Sequence, residues 1–334
     1  MEIGQFMVQA LKSKRIAILS SGGDAPGMNA CIRSVVRSAF AEGASVLGVK
    51  KGFEGLMTGE LQALSMRSVG NIIQRGGTIL GSSRSADFRK KKGREKAYRC
   101  LQDWAVDALI CLGGDGTLTG AKIFSEEFRI PVIGIPCTID NDLFGTDFSI
   151  GFDTAVETAV DCIDKIRDTA DSHGRVFLIE VMGKNTGHLA VEVGLAAGAE
   201  FLVLPEVPYR FSDLLSRIRQ GISRGKSGSI VIVAEREQPG LVIQIGKQLE
   251  KKIQRDVKTM ILGHLQRGGS PSARDRNLAS RFGALSIDLL KKGKNRRMTV
   301  IQRGDYRDIG FSQVIGKSRP IDKEKVRLLG LLSQ

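Results

Sequence analysis

The chain alternates short apolar runs with longer amphipathic stretches, a pattern that predicts mostly parallel sheets covered by helices. Residues 15–20 (R-I-A-I-L-S) read as a buried strand that runs straight into a glycine turn. Further strands are predicted near 45–49, 107–112, 131–135, 175–181, 201–204, 229–234, 259–263 and 298–302. Helices fill the intervals, the clearest over 155–170, 211–224 and 273–290. Pro26 suits the first turn of a helix, where its missing N–H costs nothing. Beyond it Met28, Cys31, Ile32, Val35 and Ala39 supply an apolar stripe, with Arg33 and Arg37 four apart on one face. No low-complexity linker or short-period repeat breaks the pattern. In open parallel sheets ligands bind beyond the carboxyl ends of the strands, so the glycine-rich loops there are the expected functional sites.

With 334 residues the chain is long enough for two α/β lobes, each with its own core. Its 42% apolar share fits a soluble globular protein. The most apolar stretch, 191–204, is interrupted by Glu192 and Glu200, so no membrane span is expected. The first dozen residues show no secretory pattern. Cys31, Cys100, Cys111, Cys137 and Cys162 are odd in number and scattered, which reads as reduced thiols in a cytoplasmic protein and not as a zinc site. Lys and Arg outnumber Asp and Glu by 50 to 36, a net charge of +14 that attracts anions such as phosphorylated metabolites, nucleic acid or acidic lipid. The basic runs Arg89–Arg99 and Lys291–Arg297 read as a solvated helix face and a surface loop. Neither is interleaved with aromatic residues, so nucleic acid is not an expected partner.

Three loops carry candidate chemistry. The first, S-G-G-D-A-P-G-M-N at 21–29, lies between a strand and a helix, and Gly22 and Gly23 leave room for a backbone N–H to approach a phosphate. Taken alone, a glycine pair is as readily a plain tight turn. The second, L-G-G-D-G-T at 112–117, opens space at Gly113, Gly114 and Gly116 for a polyphosphate, and Asp115 is suited to Mg²⁺. Thr117 is placed to cap the next helix. The third, P-C-T-I-D-N-D at 136–142, offers Asp140 and Asp142, one to accept a proton and the other to organise a metal or its neighbour; alone it is also a common turn composition. Together they supply what phosphoryl transfer needs: a phosphate cradle, a metal residue and a base.

The order of these loops resembles that of the 6-phosphofructokinase family. The likeness continues through I-G-F-D-T-A (150–155), R-D-T-A-D-S-H-G-R (167–175), V-M-G-K-N-T-G (181–187), G-A-E (198–200), L-P-E (204–206) and L-G-H-L-Q-R-G-G-S-P (262–271), covering roughly 15–320. The resemblance implies two Rossmann-like three-layer α/β/α lobes with mostly parallel sheets and an active site in the cleft between them. An ATP-binding lobe would take 13–150 plus about 265–310, and a fructose-6-phosphate lobe 151–264 plus about 311–334, with 1–12 as an N-terminal extension. The implied reaction is Mg²⁺-dependent transfer of the ATP γ-phosphoryl group to C1 of fructose 6-phosphate, giving fructose 1,6-bisphosphate.

By the same resemblance Asp140 is the base, supported by Asp142 and Thr138. Gly22 and Arg84 touch the transferring phosphate, Gly114, Asp115, Gly116 and Thr117 hold ATP, and Asp115 takes the metal. Met182, Gly183, Lys184, Glu235, His264 and Arg267 bind the sugar phosphate, with Arg175 and Lys258 contributed by a neighbouring subunit of a homotetramer. Without the motif around it, His264 would read as a core histidine. Arg33, Arg37, Arg67, Arg167, Glu200, Arg224 and Lys226 match an effector site for ADP or phosphoenolpyruvate. Four departures stand out. Lys184 and Lys258 occupy positions usually held by Arg, which keeps charge and loses the bidentate fork. Cys137 stands where ATP users carry Gly and pyrophosphate users Lys. Lys50–Lys51 stands where an aromatic residue often meets adenine. Gly116 favours ATP, since pyrophosphate users carry Asp there. A pyrophosphate-dependent enzyme and a catalytically weak regulatory subunit remain the alternatives.

Overall fold

Ile16, Ala17, Ile18 and Leu19 are all fully buried, as a central strand covered on both faces requires. The computed structural model describes residues 11–238 and 240–333, so residues 1–10 of the expected N-terminal extension lie outside the described residues. Eleven strands are seen among the described residues: β1 (Arg15–Ser20), β2 (Ser45–Val49), β3 (Leu61–Leu64), β4 (Ala108–Gly113), β5 (Val132–Pro136), β6 (Val176–Val181), β7 (Phe201–Val203), β8 (Ser229–Ala234), β9 (Val257–Ile261), β10 (Arg297–Gln302) and β11 (Asp305–Gly310). The helices are α1 (Met28–Ala41), α2 (Gly52–Thr58), α3 (Lys91–Asp103), α4 (Asp115–Phe128), α5 (Phe152–His173), α6 (His188–Ala196), α7 (Phe211–Ser223), α8 (Leu241–Glu250), α9 (Ala273–Lys291), α10 (Phe311–Val314) and α11 (Lys323–Leu332).

Packing divides the described residues into two units. The first comprises those up to Thr138 with Leu143–Gly151 and Gly269–Arg319; the second comprises Ile139–Asp142, Phe152–Gly268 and the residues from Pro320. The first holds a seven-stranded sheet in the order β11-β10-β5-β4-β1-β2-β3, the second a four-stranded sheet in the order β7-β8-β6-β9. All pairings are parallel except β2–β3 and β10–β11 at the edges of the larger sheet. The chain is thus an α/β protein with two sheets. In the larger sheet the chain leaves β1 toward β2 on one side and returns to β4 on the other. A crevice therefore opens at the carboxyl ends of β1 and β4. The smaller sheet has the same kind of switch at β6, flanked by β8 and β9.

The first core packs Leu19, Val49, Phe53, Leu109, Leu118, Phe124 and Met298 between the larger sheet and its helices, with Phe53 and Phe88 stacked at 3.9 Å between centroids. The second gathers Leu178, Leu214, Ile218, Val231, Val242 and Leu249. The helix after Pro26 begins at Met28, with Gly27 as its N-cap at φ 105°, so Pro26 stands just outside it. The edge strands β3 and β11 escape the apolar pattern because they are short or polar. β11 is fixed by its turn: Arg303 and Gly304 both have positive φ, joining β10 to β11 in a two-residue hairpin. Nor is the first basic run wholly a solvated face. Arg94 is buried, and its Nε and Nη2 donate to Glu127 at 2.6 and 2.7 Å, while Nη1 donates to the Phe88 and Arg89 carbonyls.

Glu127 is partly exposed but Arg94 is buried, so removing the carboxylate leaves a desolvated guanidinium without its charged partner. Glu127→Ala is expected to lower unfolding stability by about 1–3 kcal/mol, read from the urea midpoint at unchanged m-value.

Candidate active site

Three loops meet at the carboxyl ends of β1, β4 and β5, which are neighbours in the larger sheet. Their contacts run through backbone atoms. Thr117 Oγ1 donates to the Ser21 carbonyl at 3.0 Å, and Ser21 N donates to the Leu112 carbonyl at 3.0 Å. A Cβ on Gly113 would lie 2.4 Å from Thr117 Oγ1 and 2.6 Å from the Ser21 carbonyl, so only glycine fits there. Gly114, the N-cap of α4, faces the Thr138 side chain, which a Cβ would meet at 3.6 Å. Asp115 opens α4 and is exposed, at the positive end of the helix. A Cβ on Gly116 would meet nothing within 4 Å. Thr117 does not cap this helix as expected; it lies inside the first turn, where its hydroxyl is taken by Ser21.

Arg84 is exposed in a loop docked on the first of these three. Ser82 Oγ donates to the Gly22 carbonyl at 2.5 Å, and Gly22 N donates to the Ser83 carbonyl at 3.1 Å. The Gly22 N–H expected to reach a phosphate is thus engaged by the segment that carries Arg84. Cys137 is buried, and its thiol is pushed well up by burial, then by Cys31 and Asp275, so it faces the interior and not a ligand. Lys50 and Lys51 are spoken for as well, by the Ile79 carbonyl at 2.8 Å and by Glu60 at 3.4 Å.

The second unit assembles a mixed cluster of charges. Burial is the main reason that Asp140 is raised from 3.8 to about 6; Asp142 and Glu235 add to the rise, and Arg267 and Lys184 oppose it. These five side chains therefore share one electrostatic neighbourhood. Each is delivered by a loop beyond a strand end or, for Arg267, by the short turn Gly263–Arg267 that follows β9. Met182 and Gly183 follow β6, and Gly183 accepts from Thr186 N at 3.0 Å and Thr186 Oγ1 at 2.7 Å. This tight turn holds Lys184 and Asn185 at φ 47° and 67°, a left-handed pair of the kind kept at functional loops. Asn185 Oδ1 accepts from Glu237 N at 2.7 Å, tying the turn to the Glu235 loop. His264 is exposed, which excludes a core histidine.

Arg175 and Lys258 are not brought to this cluster. They lie at the amino ends of β6 and β9, where both approach Asp256, at 3.4 and 3.7 Å. The length of β6, six residues, separates them from Met182 by about 20 Å. Among the expected effector residues, Glu200 is buried and accepts from Ile230 N at 2.5 Å and Lys226 Nζ at 3.3 Å. Arg167 donates to the neighbouring Ala197 and Gly198 carbonyls, and Arg224 ends α7 two residues before Lys226. Arg33 and Arg37 lie on α1 and Arg67 in a loop of the first unit. One residue beside the cluster escaped the sequence reading. Glu180, inside β6, is buried and raised by burial and by the Glu235 carboxylate. Its only sequence signal is a carboxylate in the middle of an apolar strand.

Glycine loops at the carboxyl ends of parallel strands, on two sheets of this order, define an α/β protein of the doubly wound kind. The Phosphofructokinase family model matches residues 15–290, and the chain belongs to that family. It is 47% identical over 321 residues to ATP-dependent 6-phosphofructokinase 2 of Bacteroides thetaiotaomicron, covering 96% of this chain and 98% of the relative. It is also 47% identical over 320 residues to ATP-dependent 6-phosphofructokinase 1 of Thermus thermophilus, covering 96% and 99%. A phosphofructokinase structure from Saccharomyces cerevisiae superimposes with a TM-score of 0.85 at 33% identity, over 95% of this chain and 46% of that longer one. A pyrophosphate-dependent phosphofructokinase from Marinobacter aquaeolei shares the fold, with a TM-score of 0.81 at 24% identity over 93% and 86% of the two chains.

The raised Asp140 carboxyl has a cost in stability. Between pH 3.8 and about 6 the folded state holds a proton that the unfolded chain has lost, so stability falls as pH rises through that window and the loss is complete above it. Asp140→Asn is expected to be as stable as the parent or more so at pH 7.5, by up to about 3 kcal/mol at 1.36 kcal/mol per pH unit. The advantage should vanish by pH 4, as measured by urea unfolding at both pH values.

Proposed function

We propose that the chain transfers the γ-phosphoryl group of ATP to the C1 hydroxyl of fructose 6-phosphate, releasing fructose 1,6-bisphosphate and ADP. The observation that carries this reading is the Asp140 carboxyl, poised near pH 6 among Asp142, Glu235, Lys184 and Arg267. A base needs a pKa near the working pH, and a dianionic sugar phosphate needs cations close by. The family relatives named as ATP-dependent enzymes support ATP as the donor.

In this reading Asp140 takes the proton of the C1 hydroxyl, and the like charge of Asp142 keeps it basic enough to do so. Lys184, Arg267 and His264 hold the sugar phosphate, with Glu235 accepting from a sugar hydroxyl beside Met182 and Gly183. In the first unit Gly22, Gly114, Gly116 and Thr117 make room for the polyphosphate, with Thr138 beside them, and Arg84 neutralises charge as the phosphoryl group moves. Gly22 N becomes a phosphate donor once Ser83 yields it. Asp115 suits Mg²⁺: it is one exposed carboxylate at a helix start, and no group of three or more metal-ligating side chains occurs among the described residues. That matches an ion carried largely by phosphate and water, which would neutralise the polyphosphate charge.

Arg175 and Lys258, far from the cluster along β6, are read as cations offered to a neighbouring copy in a homotetramer. Arg33, Arg37, Arg67, Arg167, Glu200, Arg224 and Lys226 are read as an effector site for ADP or phosphoenolpyruvate. A cytoplasmic location fits the free thiols of Cys31, Cys100, Cys111, Cys137 and Cys162.

Asp140→Asn should lower kcat by roughly 10²–10⁴, and kcat/KM of the parent should fall tenfold per pH unit below about 6. A coupled assay for fructose 1,6-bisphosphate measures both; near-normal turnover by the variant would remove Asp140 from the role of base. Gly116→Asp meets open space, so the fold should persist while the KM for ATP rises at least tenfold by charge repulsion. Turnover by the parent with pyrophosphate, and not with ATP, would reverse the choice of donor.

A further inference from the structure

Asp275 lies in the first turn of α9, is 1% exposed, and takes no part in the chemistry described above. Ser272 Oγ, the helix cap, accepts from its backbone N–H at 3.2 Å. Its Oδ1 accepts from Gly151 N at 2.9 Å. Gly151 ends a short segment, Ser149–Gly151, that pairs directly with the third loop. Ile150 N donates to the Pro136 carbonyl at 3.0 Å, Thr138 N donates to the Ile150 carbonyl at 3.1 Å, and Ser149 Oγ donates to the Thr138 carbonyl at 2.6 Å.

The same segment is wedged against the first loop. Gly151 has φ 98°, and a Cβ there would come within 2.6 Å of the Ala25 Cβ. Gly27 has φ 105°, and a Cβ there would come within 2.6 Å of Ile150 Cγ2 and 3.6 Å of the Asp275 Cβ. Two left-handed glycines facing each other's loops leave no slack, so a shift at Gly151 must be passed to Thr138 or to Ala25–Gly27.

We propose that Asp275 is a positioning residue for phosphoryl transfer: by holding Gly151 it sets where Thr138 stands relative to the glycine loop at residues 21–29. Thr138 is followed two residues later by Asp140, so the register of the third loop along β5 also sets where the base begins. A merely stabilising carboxylate would act on the whole unit. Through the Gly151 N–H this one bears directly on the segment that pairs with the third loop, so its effect is read there. The consequence for turnover rests on the function proposed above; the consequence for the loop does not.

The test compares Asp275→Ala, which removes the acceptor, with Asp275→Asn, which keeps an oxygen for Gly151. In Asp275→Ala, kcat with ATP and fructose 6-phosphate should fall about 10²-fold, the scale of a 1 Å misplacement, with both KM values within about twofold. Asp275→Asn should recover most of that loss. Hydrogen exchange by mass spectrometry should show peptides spanning 136–142 exchanging about tenfold faster in Asp275→Ala, with peptides of the second sheet unchanged. Wild-type kcat in Asp275→Ala, equal losses in both variants, or unaltered exchange over 136–142 would overturn the proposal. If Asp275→Ala does not fold, Ser149→Ala cuts the same link at its other end and is judged by the same kcat and exchange criteria. Should the parent fail to turn over these substrates, the proposed function falls, and the exchange result alone decides the role of Asp275.

Discussion

The donation from the Thr117 hydroxyl to the Ser21 carbonyl, made possible by the missing side chain of Gly113, is the contact on which the first unit's loops depend. It joins the turn after β1 to the first turn of α4 across the point where the strand order reverses. A crevice at such a switch point is ordinarily open, because the two loops flanking it leave in opposite directions. Here a side chain from one loop reaches the backbone of the other and sets their separation. The exposed groups beside it, Asp115 and Gly116, can then face outward without losing their place.

The second unit solves a different problem. It crowds carboxylates and cations into one partly buried neighbourhood, and the balance leaves Asp140 harder to ionise than a surface aspartate. Such an arrangement opposes folding at neutral pH and is tolerated because the sheet beneath it is well packed: Leu178, Ile179, Val231 and Ile232 are all fully buried. Stability given up at a carboxylate held above its ordinary range is offset elsewhere in the same unit.

Much of this was legible in the sequence. Strands buried on both faces announce themselves as apolar runs, and nine of the strands lie close to the predicted positions. β3 and β11 were not legible, since a short or polar edge strand has little apolar face to display and β11 is set by its hairpin. The loops at the strand ends could be found because glycine and aspartate in series after an apolar run have few other uses. What lay beyond reach was the pairing of backbone groups. Nothing in S-G-G-D says that Gly22 N meets Ser83, that Thr117 serves Ser21 and not its own helix, or that Cys137 turns inward. Arg94 could not be told from its basic neighbours until Glu127, thirty-three residues away, was seen against it.

Both units are discontinuous along the chain, but the strands of the smaller sheet all fall in one stretch, from Val176 to Ile261, while those of the larger sheet do not. Strands β10 and β11 and helix α9 all come after β9, the last strand of the smaller sheet. A chain emerging from the ribosome therefore holds every strand of the smaller sheet before the larger one has its final two. Until those arrive, the outer edge of β5 exposes unpaired backbone groups, a template for wrong partners. The polar hairpin at Arg303–Gly304 is what finally closes that edge, so the least conspicuous part of the sequence completes the sheet that bears the glycine loops.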